Sequence, residues 1–252
     1  MVHSIRKETG HSSFGFLTAF ARPLVLLALF YFLIEVVGLR GFKIRGSTVT
    51  FLLTGIFCFL VHIGTIQTVT HAIRKSRGML FHAPASIFVY VLSQAFGALY
   101  VHLSVSLIIL LVADLVGVAL DIRDPAGLIL PYFLSWASGA GVGLILMSLG
   151  HVAPSSAEIV GTVYTRVQFF TSGKFWAANV LHMMFPAWFA DIALWNPLLH
   201  IIDQMRGAAF VNYFPKLTEL GYPAAFTAVA LVVGFMAEAW VRRGYSVSQS
   251  KR

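Results

Sequence analysis

Three long stretches of this chain contain no Asp, Glu, Lys or Arg: residues 46–73, 78–113 and 125–157. A soluble helix or strand of that length would present a polar face to water, and charged residues would recur along it. A helix crossing a bilayer instead needs roughly 20 mostly apolar residues to span about 30 Å of hydrocarbon. Two further runs fit the same rule, 23–38 with Glu35 as its one charge and 222–241 with Glu238 as its one charge. Of the 252 residues, 58% are hydrophobic and 11% charged. Soluble domains run near half and a quarter, and disorder would need low hydrophobicity.

These runs predict a first helix over 23–38, a second within 46–73, a third over about 87–113, a fourth over about 126–149 and a last over 222–241. Residues 78–86, with His82 and Pro84, are assigned to the interface. The region of about 165–190 is marginal because Gly173, Lys174 and Pro186 interrupt it. A broken or re-entrant helix fits it best. Irregular backbone at membrane depth survives only where protein or water satisfies it, so this is where a translocation path is expected. The expected fold is an all-α membrane protein: one transmembrane domain over 1–252, about six transmembrane helices and a broken fifth helix. Residues 12–21 read as an amphipathic N-terminal interface segment. The basic start followed by Gly, His and Ser does not read as a signal peptide.

Lys and Arg set the orientation. With both termini cytoplasmic, Arg6, Lys7, Arg22, Arg74, Lys75, Arg77, Arg166, Arg242, Arg243, Lys251 and Arg252 fall inside. Arg40, Lys43, Arg45, Arg123, Arg206 and Lys216 fall outside, and Lys174 is left unplaced. The net charge of +8 is distributed between apolar stretches, so the partner it implies is a membrane and not nucleic acid.

Much chemistry is absent. Cys58 stands alone, which excludes an internal disulfide framework or a cysteine metal cluster. The nine histidines show no metal-ligand spacing, and no cofactor is expected. The Gly173-Lys174 pair is followed by Phe175, with Gln168 where a P-loop needs glycine. His62, Gln94 and His102 read as hydrogen-bond partners inside the bundle. Gly139, Gly141 and Gly143 read as close helix packing.

Three features point to function. The first is the basic segment 71–78, with Arg74, Lys75 and Arg77, followed by an amphipathic stretch ending at Pro84. It is either a positive-inside anchor or a short cytoplasmic helix that docks on another protein. The second is Trp195-Asn196-Pro197 opening an amphipathic helix of about 11 residues, placed outside at the membrane surface. The third is the aromatic density of Phe169, Phe170, Phe175, Trp176, Phe185, Trp188 and Phe189. Such residues form an interfacial belt or stack on sugar rings.

Asn196-Pro197-Leu198 followed by His200, Asp203 and Arg206, together with Leu53-Thr54-Gly55-Ile56, resembles the integral membrane permease of polysaccharide-exporting ATP-binding-cassette transporters, of the capsular polysaccharide and O-antigen type. The resemblance runs from about residue 20 to 243. In place of that family's Arg-rich segment after the fourth helix, residues 157–166 hold Arg166 alone. The resemblance implies a homodimeric channel in a bacterial inner membrane, paired with two copies of a separate cytoplasmic ATPase. It implies that Arg74, Lys75 and Arg77 lie on the coupling segment, and that Asn196, Pro197, Asp203 and Arg206 form a periplasmic motif. The seven aromatics would line the path of a lipid-linked polysaccharide. The other readings are a permease of the same superfamily for a lipid or drug, a membrane-bound transferase built on His200 and Asp203, and a non-catalytic scaffold.

Overall fold

The computed structural model describes residues 13–32, 46–72, 87–118, 120 and 122–249. Every regular element among them is helical: α1 (Ser13–Tyr31), α2 (Thr48–Thr70), α3 (Ile87–Leu115), α4 (Ile129–Val152), α5 (Pro154–Thr171), α6 (Leu181–Met184), α7 (Ala187–Leu194), α8 (Pro197–Ala209) and α9 (Gly221–Gln249). Short 3-10 turns precede α4 and α6. Among the described residues four helices are long and apolar enough to cross a bilayer, within Thr48–Thr70, Phe88–Leu115, Ala126–Val152 and Gly221–Trp240.

The order of burial identifies the centre. α2 begins at Ser47, whose side chain accepts from the Thr50 N–H at 3.4 Å. Nearly every residue from Thr50 to Ile66 is then buried. α4 packs against α2 on one side and α9 on another. Its glycines make that double contact possible. A Cβ at Gly139 would stand 2.5 Å from the His62 carbonyl oxygen, and one at Gly143 would stand 2.9 Å from Val69, both on α2. A Cβ at Gly141 would stand 2.9 Å from Ala230 on α9. Residues four apart share a face while the one between looks elsewhere, so the small-residue run serves two helices. The face α2 offers is itself backbone, which cannot yield as a side chain would. Gly139→Val is therefore expected to destabilise the bundle by about 1–3 kcal/mol, the usual cost of overpacking. Thermal unfolding in detergent checks this, and an unchanged midpoint would mean the two helices have room to part.

One expectation changes at the N-terminal end. An interface segment over 12–21 and a separate helix from Pro23 were expected. Instead α1 runs without a break from Ser13 to Tyr31, with Pro23 inside it. Proline removes one donor and bends a helix, but a membrane helix tolerates it where neighbours satisfy the freed carbonyl. Residues 33–45 and 73–86 lie outside the described residues, and with them the segment of Arg74, Lys75 and Arg77.

The helix ends gather in an alternating way. The Thr50 hydroxyl at the start of α2 donates to the Leu120 carbonyl beyond α3 at 3.3 Å. The Arg123 and Asp124 N–H groups donate to the Ala209 and Ala208 carbonyls at the end of α8. One end of the bundle therefore collects the loops after α3 and α8. The end of α2 and the start of α3 lie at the opposite end.

Candidate functional site

α5 packs against α4, reaches α2 through side chains, and then stops. It starts at Pro154, earlier than the break-prone region suggested, with proline at its first position. Tyr164 meets His62 midway along α2, and Phe169 meets Phe59 edge-on at 6.1 Å. At Ser172 the helix ends, and Gly173 takes φ +69°, a left-handed conformation that favours glycine. The chain passes through α6, breaks again at Pro186, continues through α7 and returns through α8. The expected broken segment is thus present, with the first break at Gly173.

Arg206 holds this break. Its guanidinium donates to the carbonyls of Gly173 and Trp176, each at 2.7 Å, and of Lys174 at 2.8 Å. It also lies 3.8 Å from the ring centre of Phe51. The residue is 0% exposed. A planar fork of fixed donors can satisfy several carbonyls of a turn where a point charge cannot. Gly55 completes the clamp from α2. A Cβ there would stand 2.5 Å from the Lys174 carbonyl oxygen and 2.9 Å from the Arg206 guanidinium. The loop lies directly on the backbone of α2, about two helical turns from its capped end.

Asp203 holds the next stretch. It accepts from the Ala178 N–H at 3.2 Å and the Thr218 hydroxyl at 2.7 Å, and from the Tyr213 hydroxyl. Burial, followed by the adjacent Asp203 charge, pushes the Tyr213 phenol well above its ordinary value, so its O–H remains a donor. Asn196 caps α8 by accepting from the Leu198 N–H at 2.9 Å. Its amide donates to Gln168 and Thr171 at the end of α5, both at 2.7 Å. From there a hydrogen-bonded chain crosses the bundle. Gln168 donates to the Tyr164 oxygen at 2.8 Å, and Tyr164 meets His62 Nε2 at 2.9 Å. His62 Nδ1 meets the Ser135 carbonyl at 3.1 Å. Tyr164 donating to Nε2, with the ring proton on Nδ1, satisfies every group along it.

Lys174 is the residue that sequence reasoning passed over. It is 1% exposed. Its ammonium donates to the Phe169 carbonyl and sits 3.8, 3.7 and 4.5 Å from the ring centres of Phe59, Phe169 and Phe175. The available signal was one lysine inside an otherwise uncharged run beside a helix-breaking glycine.

A family model described as ABC-2 type transporter matches residues 3–210. The chain belongs to the ABC-2 type transporter family. Two relatives, both polysialic acid transport protein KpsM of Escherichia coli, are 24% identical over 238 residues and 25% identical over 237. Each alignment covers 92% of this chain and 88% of the relative. As an ABC-2 type transporter the chain is a membrane transport subunit and not an enzyme, with ATP hydrolysis in a separate subunit.

In this ABC-2 transporter the residues expected to be functional fall into groups. Asn196, Pro197, Asp203 and Arg206 come together under the break. They sit on, or at the start of, a helix buried against α2, α4 and α9. The polar face finds partners inside the protein, which removes its need for water. The seven aromatics divide. Phe169 and Phe175 cage Lys174. Trp176, 6% exposed, packs with Leu181, Ala190 and Leu199, touching Phe185 at 5.6 Å between ring centres. Phe185 and Phe189 stack at 4.8 Å. Phe170 and Trp188 stand open, 64% and 65% exposed. His200 and Asp203 do not form a transferase-like pair. His200 Nε2 donates to the Leu194 carbonyl at 2.9 Å, and Nδ1 accepts from the Glu219 N–H at 3.2 Å.

Proposed function

We propose that this chain is the channel-forming subunit of an ATP-driven exporter of a lipid-linked or capsular-type polysaccharide. The observation that carries the reading is the convergence of two distant motifs, around Gly55 and around Arg206, on one interrupted helix inside the membrane bundle. A conduit needs irregular backbone lining a path, and needs it held in place. The kinship with proteins named for polysialic acid transport supports a polysaccharide cargo.

In this reading two copies form the channel in a bacterial inner membrane, with six crossings each and both termini cytoplasmic. Two copies of a cytoplasmic ATPase dock on Arg74, Lys75 and Arg77. Nucleotide binding alters the channel only through contacts that differ between its states. Asn196, Pro197, Asp203 and Arg206 frame the outer part of the path. Of the aromatics, Phe170 and Trp188 are open to cargo, and the other five support them. A moving polymer must be held weakly at many points, which suits exposed rings.

The reading is tested by removing the chain from cells that make a surface polymer. Polymer should accumulate inside, and a tagged copy should recover a cassette ATPase. Normal surface polymer in its absence would overturn the proposal. The double change Phe170→Ala/Trp188→Ala should slow export by about 2–10-fold per ring, the ratio expected from one lost aromatic contact of about 0.5–1.5 kcal/mol. The amount of assembled complex should be unchanged. Export at the normal rate would leave both rings as membrane anchors.

A further inference from the structure

The two buried cations at the break are held in different ways. Arg206 is committed, with three backbone carbonyls accepting from it. Lys174 is not. Its ammonium has three N–H donors, and one carbonyl, that of Phe169, accepts from it. What remains around the charge is three phenylalanine rings. Rings attract a cation through their faces but offer no lone pair. Among the described residues no carboxylate lies within ion-pair distance of it. A charged side chain buried inside a membrane protein is costly and points to function by default.

Its position suits a pathway. Lys174 follows Gly173 at the break, and its cage ring Phe169 touches the exposed Phe170, with ring centres 5.4 Å apart. Rotation about the side-chain bonds of Lys174 would carry the ammonium from the cage toward the surface where Phe170 stands open. The backbone carbonyls that Arg206 grips would stay in place, because the movement is in the side chain.

We infer that Lys174 is an anion-binding residue of the translocation path, recognising acidic groups repeated along the exported polymer, with the aromatic cage as its resting place. This rests on the polysaccharide-export reading. An acidic polymer supplies the missing acceptors only when Lys174 has left the cage. It therefore favours the open arrangement by its differential affinity, and a neutral polymer does not. The substrate class is thus a glycan bearing carboxylate or phosphate groups.

The test uses the permease with its ATPase in liposomes and measures polymer-stimulated ATP hydrolysis relative to each complex's own unstimulated rate. Three probes are compared: oligosialic acid, the same oligomer with its carboxyls reduced to alcohols, and a phosphodiester-bridged glycan. The wild-type complex should respond to an acidic probe at about tenfold lower concentration than to the reduced one, the ratio one charge-assisted hydrogen bond supplies. Lys174→Met and Lys174→Gln should lose that preference, and Lys174→Arg should keep it. A response to both acidic probes assigns the site to anions in general, and a response to oligosialic acid alone assigns it to carboxylates. Equal response of the wild type to acidic and reduced oligomers would overturn the anion site and leave the export reading intact. A preference retained in both Lys174→Met and Lys174→Gln would do the same. No response of the wild type to any glycan would overturn the export reading and this inference together.

Discussion

Arg206→Met should abolish export and destabilise the assembled permease by about 3–5 kcal/mol, the range seen when one partner is removed from a buried charged network. Methionine fills the stem volume but donates nothing. The carbonyls of Gly173, Lys174 and Trp176 would then be buried together without donors. Because Gly55 brings α2 against the same loop, water has little room to replace the guanidinium. Arg206→Lys should be intermediate, since one ammonium cannot address three carbonyls in the fork's geometry. Thermal unfolding in detergent and proteolysis between residues 172 and 176 would read the loss of the clamp. Wild-type export by Arg206→Met would show that the loop needs no tether.

The charge reversal Arg74→Glu/Arg77→Glu is expected to release or uncouple the ATPase, with at least about a tenfold loss of complex, while the permease still inserts. Like charges placed across an interface cost several kcal/mol. In sequence these residues fall between the end of α2 and the start of α3, helix ends that lie away from the Arg206 clamp, so the two substitutions should fail differently. Arg206→Met should lose the path but retain the ATPase, and the double reversal should do the opposite. Pull-down of the ATPase with membrane-extracted permease separates them. Undiminished recovery after the double reversal would leave these residues as a positive-inside anchor.

Much of the bundle was readable in advance. The third and fourth helices were expected over about 87–113 and 126–149, and α3 and α4 occupy Ile87–Leu115 and Ile129–Val152. Charge-free length is a bilayer constraint, and a bilayer constraint acts along the chain without reference to any partner. The same holds for the break, because Gly173, Lys174 and Pro186 interrupt one short apolar run together. The N-terminal helix was read less well, because Pro23 gives the same sequence signal whether it begins a helix or bends one. The helix after Asn196 was recognised, but the partners of its polar face were not. Nothing in the pattern says that Asp203 will meet Ala178, Tyr213 and Thr218.

The linear order of residues was sufficient to establish a helical membrane protein without its own nucleotide site, interrupted near Gly173 and carrying a marked Asn-Pro…Asp…Arg segment. These properties depend on composition, spacing and local stereochemistry. The assembled bundle added the purposes of those marks. Arg206 and Gly55 grip one loop from two helices, His62 joins a chain of hydrogen bonds reaching Asn196, and Lys174 rests among three rings. Each depends on side chains far apart along the chain that meet only when α2, α5 and α8 pack together, and no local pattern records such a meeting.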